Sequence, residues 1–347
     1  MRKLNLLIPS INRVTHPSLC KCLRNNGERE VRIVGVDMNP VGIGPHLADA
    51  FYQVPARIDP KYLDTILDIC QKEGIDVYYA IGEEEAIAAS KNKSAFEAIR
   101  TKVVTPGTPE MLTIATNKSL WHDYFNQKGI PHANYRNVYS VDMIAKAAYE
   151  MGYPDQDIVF KPAVSKGGRG ARIITSADLS REYYSIVASE PKMSLKSFIE
   201  ILSPLRGKEF MPLLAMEYLP GISYSVDVLS QNGEIHYSIP KIRLSGSASN
   251  TINGQVDLNP EAIELATIAC KVFNFSYMQN YEMKVNNQGR PMIFDINPRG
   301  GASVALCAAA GANIAYYAVK MAMGETIPKV DIKNKLKMLR FYDEYYE

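Results

Sequence analysis

No G-x-x-x-x-G-K-[ST] run occurs anywhere in the 347 residues, which excludes a P-loop nucleotide-binding enzyme. The glycines of a dinucleotide-binding fingerprint are missing too. The first turn reads Pro9-Ser10-Ile11-Asn12-Arg13, so Asp37, ending the second strand-like run, is read as a scaffold aspartate and not a ribose ligand. Cysteine is scarce: Cys20, Cys22, Cys70, Cys270 and Cys307 are odd in number and lack C-x-x-C or Cys/His zinc spacing. That pattern predicts buried free thiols, as in a reducing cytoplasm. Five histidines (His16, His46, His122, His132, His236) show no ligand spacing and read as surface or packing residues. An excess of one charge is also absent. Lys+Arg number 39 against 37 Asp+Glu, and a net +2 supplies no broad field for a polyanion, so nucleic acid is not an expected partner. One long uncharged run, 302–319, is mostly alanine and holds Ser303, Gly311 and Asn313, which predicts two short buried helices and no membrane span. The opening MRKLNLLIPS has too short an apolar stretch for a signal peptide, and the expectation is a cytoplasmic protein.

What is present is an ordinary globular balance, 46% apolar and 22% charged, in a chain long enough for two or three domains. Residues 4–9 (LNLLIP) and 31–37 (VRIVGVD) are branched apolar runs separated by a helical stretch, 17–26, a strand–helix–strand unit of a parallel sheet. A strand at 51–55, a helix opening at Asp59-Pro60, a strand at 75–81, a helix at 84–99 and a strand at 102–105 complete a doubly wound Rossmann-like domain. A helix over 109–128 stops at Gly129-Ile130-Pro131. From Ile158 the texture changes to strands and glycine-bearing turns, an antiparallel α+β half, with a helix at 260–273. Predicted boundaries are 1–112, 113–190 (a small lobe with a glycine-rich lid) and 191–347 (a lobe with a metal site).

Three segments of this second half carry candidate chemistry. Asp295-Ile296-Asn297 places a carboxylate and an amide oxygen two apart, on one face of a strand. Glu282 lies on a strand joined to it through NNQG. Two carboxylates and an amide oxygen are hard donors suited to Mg²⁺, and Arg299 follows at once. Phe160-Lys161-Pro162 precedes Ser165-Lys166-Gly167-Gly168-Arg169-Gly170, a hairpin tip whose backbone N–H groups and cations suit phosphate; such tips are also common solvated turns. Met216-Glu217-Tyr218-Leu219-Pro220-Gly221 can offer peptide groups to a purine edge or simply end a strand in a Pro-Gly turn.

The order of these pieces, with Lys118 in TNKSLWHDYFNQKGIP ahead of them and FDINPRGG at the end, resembles the ATP-grasp superfamily, in the branch related to the carbamoyl-phosphate synthase large subunit. The resemblance covers nearly the whole chain, and FDINPRGG with Glu282 upstream is its most specific part. It implies a Rossmann-like pre-ATP-grasp domain followed by a two-lobed ATP-grasp domain with antiparallel sheets. It further implies ATP and Mg²⁺, with Mn²⁺ an alternative, and an ADP-forming ligase joining a small carboxylate and an amine through an acyl phosphate. Lys118, Lys161, Lys166, Gly167, Gly168 and Arg169 would hold ATP phosphates, and Glu217, Tyr218 and Leu219 would contact adenine. Glu282, Asp295 and Asn297 would ligate metal, while Arg299 and Lys161 would act on the transferred phosphoryl group. Arg299 and Arg243 are the substrate candidates, Arg243 in the polar run KIRLSGSASNTINGQ, which reads as a loop. Asp295 stands where the family usually has Glu, and Ser223 where many members have a Glu on the ribose. Alternatives are a carbamoyl-phosphate-synthase-like partial enzyme and a non-catalytic ATP-binding module; a homodimer is left open.

Overall fold

Branched apolar runs alternate with amphipathic stretches through the N-terminal region, and in the computed structural model they become a parallel sheet flanked by helices. The structure describes residues 1–165, 168–180, 191–246 and 251–346. Strands β1 (Leu4–Pro9), β2 (Val31–Asp37), β3 (Ala50–Gln53), β4 (Val77–Tyr79) and β5 (Lys102–Val104) lie in the order β3-β2-β1-β4-β5. The pairings β1 with β2, β1 with β4, β2 with β3 and β4 with β5 are all parallel. Both faces of such a sheet are covered, which is why LNLLIP reads as nearly continuous apolar sequence and only Asn5 is left partly exposed. Between the strands run helices α1 (His16–Arg24), α2 (Gly44–Leu47), α3 (Tyr62–Lys72), α4 (Glu83–Lys91) and α5 (Lys93–Ala98). The helix expected over 84–99 is therefore two helices. Asn92 breaks it, its amide donating 2.8 Å to the Ala88 carbonyl, a side-chain bond that competes with helix continuation.

The helix expected over 109–128 is likewise divided, into α6 (Pro109–Thr116) and α7 (Lys118–Lys128). Asn117 caps α7 by accepting from the backbone N–H groups of Ser119 and Leu120, and Gly129 ends it in the left-handed region at φ 65. A second sheet holds β6 (Tyr135–Val138), β7 (Ile158–Pro162), β8 (Arg172–Ile174), β9 (Lys192–Met193) and β10 (Leu213–Glu217), in the order β6-β10-β7-β8-β9. Helix α8 (Asp142–Glu150) packs over it, in a core built from Val138, Ile144, Phe160, Phe198 and Leu213. The third sheet, ordered β15-β14-β11-β12-β13-β16, contains β11 (Ser223–Gln231), β12 (Glu234–Gly246), β13 (Thr251–Val256), β14 (Tyr277–Val285), β15 (Pro291–Asn297) and β16 (Lys337–Leu339). Here the expected polar loop is corrected: β12 runs on through Arg243 to Gly246 and β13 pairs with it antiparallel. Polar side chains hid the strand because β-propensity mostly measures packing on a half-buried face.

Two compact units divide the chain, Met1–Thr113 with Tyr224–Glu282 and Ile296–Glu347, and Ile114–Ser223 with Met283–Asp295. In the first, helices Val304–Ala309 and Ile314–Ala322 join the core formed with Leu6, Ile8, Leu19 and Val77, as expected of the alanine-rich run. Gly311 stands between them at φ +122, in space limited by the Asp331 carbonyl. No helix of the described residues is long and apolar enough to cross a membrane. All five cysteines are free and buried, as expected, and burial pushes Cys20, Cys22 and Cys270 up to about 11 and Cys70 to about 12.

The cap on α7 provides a test of local stability. Asn117→Ala should lower unfolding free energy by about 1 kcal/mol, read as a reduced urea midpoint at constant slope. An unchanged midpoint would show that the cap contributes nothing.

Candidate functional site

In the second unit the two predicted phosphate lysines meet the end of β15. Lys118 opens α7, and its backbone N–H donates 2.8 Å to the Ala163 carbonyl just past β7. Its ammonium donates 2.8 Å to the Ser165 carbonyl and lies 3.2 Å from Asp295 Oδ1. Lys161, at 5% exposure, donates to the Phe294 carbonyl and sits 5.5 Å over the Phe294 ring. Burial pushes Lys161 down to about 7, with Lys118 adding to the shift and Asp295 opposing it. A buried cation that gives up its proton this readily gains most from an incoming anion.

Of the glycine-rich tip, Lys166 and Gly167 lie outside the described residues. Gly168 and Gly170 take φ 72 and 78, and a side chain at Gly170 would meet Pro162 at 2.8 Å. Arg169 between them is exposed. The 217–219 segment is held by its neighbours: Glu217 accepts from the Asn134 N–H at 2.9 Å and donates its own N–H to the Asn134 carbonyl. Leu219 packs with Ala133, Leu214 and Met216, and the Tyr218 ring lies 5.6 Å below the Lys284 ammonium.

In the first unit Glu282 accepts from the Ser225 hydroxyl at 2.9 Å and faces Arg243 at 3.6 Å. Arg243, which sequence reading placed in a loop, is thus a strand residue aimed at a predicted metal ligand, steadied by Thr251 Oγ1 at 3.3 Å. Asn297 accepts from Arg299 at 2.9 Å and donates 3.3 Å to Asn280 Oδ1. Arg299 also lies 3.9 Å from Glu83.

Behind these residues stands a group that sequence reasoning missed. Asp227 and Lys241, 0% and 2% exposed, form a buried ion pair. Asp227 Oδ1 also accepts from the Gly301 N–H at 2.7 Å and from Asn280 at 3.0 Å. The Asn280 amide donates a further 2.9 Å to Ser225, whose hydroxyl serves Glu282. Burial depresses the Lys241 ammonium, but the Asp227 carboxylate more than offsets this and the net shift is upward. A signal was there: β11 carries Ser225 and Asp227, β12 Lys241 and Arg243, β14 Asn280 and Glu282, β15 Asp295 and Asn297. Each is a polar pair at spacing two, which sets both of its members on the same side of their strand. The pairing of β11 with β12 sets Ser225 opposite Lys241, so Asp227 and Lys241 are diagonal neighbours on that face.

Glu282 and Asn297 in the first unit and Asp295 in the second carry hard oxygen donors of the kind Mg²⁺ takes, each within reach of a cationic side chain. No group of three His, Cys, Asp or Glu side chains able to hold a metal occurs among the described residues.

Two family models match the chain. Residues 209–342 match one described as ATP-grasp in the biosynthetic pathway with Ter operon, and residues 6–104 match the PylC-like N-terminal domain. Parts of the chain thus match an ATP-grasp family model and a PylC-like N-terminal domain, and over most of its length the chain is similar to carbamoyl-phosphate synthase large chains. It is 18% identical over 320 residues to the arginine-specific carbamoyl phosphate synthase large chain of Halalkalibacterium halodurans, covering 88% of this chain and 28% of that protein. To the carbamoyl phosphate synthase large chain of Bifidobacterium animalis subsp. lactis it is 25% identical over 310 residues, 83% of this chain and 25% of that one. The chain thus spans only about a quarter of the length of these curated relatives. Among solved structures, the ADP complex of an N5-carboxyaminoimidazole ribonucleotide synthetase superposes with a TM-score of 0.70 at 14% identity, over 97% of this chain and 81% of that one.

The two buried lysines respond differently to substitution. Lys161 titrates at about 7 in the fold against an ordinary 10.5, so between those values the unfolded chain binds the extra proton and stability rises with pH. Lys161→Met should therefore be more stable than wild type below about pH 7, the gap closing as pH rises; paired denaturant melts check this. Lys241→Met leaves Asp227 buried and unpaired, and should cost about 3–5 kcal/mol, with much of it recovered when Asp227→Leu is added. Equal stabilities of the single and double variants in urea melts would contradict that account.

Proposed function

We propose that the chain is an ATP-dependent, ADP-forming ligase that joins a small carboxylate to an amine through an acyl phosphate. The observation that carries this reading is the meeting of Lys118 and Lys161, from separate elements, at the Phe294-Asp295 end of the strand that continues to Asn297. Two cations there suit the oxygens of a triphosphate, and the matched ATP-grasp family supports that use. The glycine turn through Gly168 and Gly170 would cover the phosphates, and the 217–219 segment would meet the adenine. Glu282, Asp295 and Asn297 would hold magnesium, which when bound neutralises charge on the phosphate oxygens.

The chemistry then needs only positioning and charge. A substrate carboxylate oxygen attacks the γ-phosphorus, the bond to the β–γ bridging oxygen breaks, and ADP departs. Arg299, set by its bond to Asn297, neutralises the phosphoryl oxygens as they transfer. The amine attacks the acyl carbon, the carbon–oxygen bond to phosphate breaks, and the amine's proton is lost to solvent or phosphate. No side-chain nucleophile is required. Arg243, paired with Glu282, would orient the substrate carboxylate or restrain the metal ligand.

Asp295→Ala should abolish substrate-dependent ADP release across a panel of carboxylates and amines, with product identified by mass. Turnover equal to wild type would reject the reading. The names of the curated relatives raise a second product, and bicarbonate with ammonia in the same panel would reveal carbamoyl phosphate.

A further inference from the structure

The first sheet has a feature that the ATP chemistry does not use. From β1 the chain steps to β2 and β3 on one side, then returns to place β4 on the other side of β1. Loops after β1 and β4 therefore diverge, and in open α/β sheets this crevice at the carboxyl ends of the strands is where ligands bind. The loop after β1 brings Ser10, Arg13 and His16; the loop after β3 brings Arg57; the loop after β4 brings Gly82 and Glu83 through Glu85 at the start of α4. Arg299 joins them through Glu83.

The charges in this crevice are only partly matched. Glu85 is 1% exposed, and its Oε1 accepts from Ser10 Oγ at 2.7 Å and from Arg57 at 3.1 Å. Its Oε2 has no hydrogen-bond partner. The carboxylate lies so close over Gly82 that a Cβ there would come within 1.4 Å of Oε2. Arg13 feels Glu85 and Glu83 as well as Arg57 and Arg299, and burial lowers its pKa, yet its guanidinium makes no hydrogen bond or ion pair among the described residues. His16 is 1% exposed with both ring nitrogens unpartnered. Glu85 Oε2 and the His16 ring nitrogens are buried polar atoms left open, which is costly to a fold, and with the partly buried, unpaired Arg13 guanidinium near them they point to a ligand.

The arrangement also selects the sign of that ligand. A purely anionic molecule would satisfy Arg13 and be repelled by the open oxygen of Glu85. A purely cationic one would do the reverse. A molecule carrying both charges completes both, and leaves the crevice's near-balance of arginine and glutamate unchanged.

We propose that the β1/β4 crevice binds a small zwitterion with an ammonium and a carboxylate, as in an α-amino acid, its ammonium on Glu85 and its carboxylate on Arg13. As a statement about the ligase substrate this rests on the function proposed above; as a binding site it stands alone. The test uses the full chain without nucleotide. Proteinogenic L-α-amino acids are titrated singly by calorimetry, and any that binds is compared with its carboxamide and its N-acetyl derivative. At least one amino acid should bind with Kd at or below about 1 mM, and both derivatives should bind at least about tenfold more weakly. Arg13→Met should weaken the parent amino acid to the level of its amide and erase that discrimination. Glu85→Gln, nearly isosteric, should erase discrimination against the N-acetyl derivative; if it does not fold, Arg13→Met decides alone. Absence of binding by every amino acid, or variant losses equal for parent and derivatives, overturns the proposal. Because no ATP is present, the outcomes separate: Asp295-dependent ADP release without amino-acid binding rejects this site and keeps the ligase, and the converse keeps the site and rejects the ligase.

Discussion

The ion pair between Asp227 and Lys241 is the constraint on which the polar face of the third sheet depends. Neither side chain reaches water, so each must be matched by contacts of fixed geometry. Asp227 divides its oxygens among Lys241, Asn280 and the Gly301 N–H. Asn280 is then fixed, and with it the orientation of Asn297 and of the Ser225 hydroxyl that meets Glu282. The pair contributes little net stability of its own. Its effect is to leave few orientations open to the oxygens proposed to hold metal.

Lys161 shows the opposite treatment of the same side chain. It too is buried, but its immediate oxygen is the Phe294 carbonyl, a dipole and not a charge, with Lys118 nearby. The carboxylate beside Lys241 raises that ammonium's pKa, whereas burial beside Lys161 lowers its pKa to about 7. One lysine is complete within the fold. The other is left with electrostatic demand that phosphate oxygens would meet, as the proposed function requires.

How much of this was legible in the sequence depends on whether local pattern or long-range pairing decides. The doubly wound sheet, the helix at Pro260–Phe273 and the two alanine-rich helices follow from apolar periodicity and punctuation by glycine and proline, all of which are local. The breaks at Asn92 and Asn117 were missed because one asparagine interrupts an otherwise continuous helical pattern through its own side-chain bond. β12 was missed beyond Pro240 because KIRLSG is polar on the face that carries Lys241 and Arg243, and only its pairing with β13 shows that the strand continues. The candidate site residues, Lys118, Lys161, Glu282, Asp295, Asn297 and Arg299 among them, were read from spacing, order and family resemblance. Asp227, Lys241 and Asn280 escaped because each looks like an ordinary alternating polar residue until the strands are set side by side.

Comparison of the carboxylates refines the meaning of a net charge of +2. Glu282 faces Arg243 and Ser225, Asp295 faces Lys118, and Asp227 is saturated; Glu85 alone of these leaves a buried oxygen without a hydrogen bond. Ser10 and Arg57 occupy one oxygen of Glu85, and the other is left buried and open against Gly82, where a Cβ would not fit. Internal completion of one set of charges and its absence in another is what distinguishes a scaffold from a recognition site.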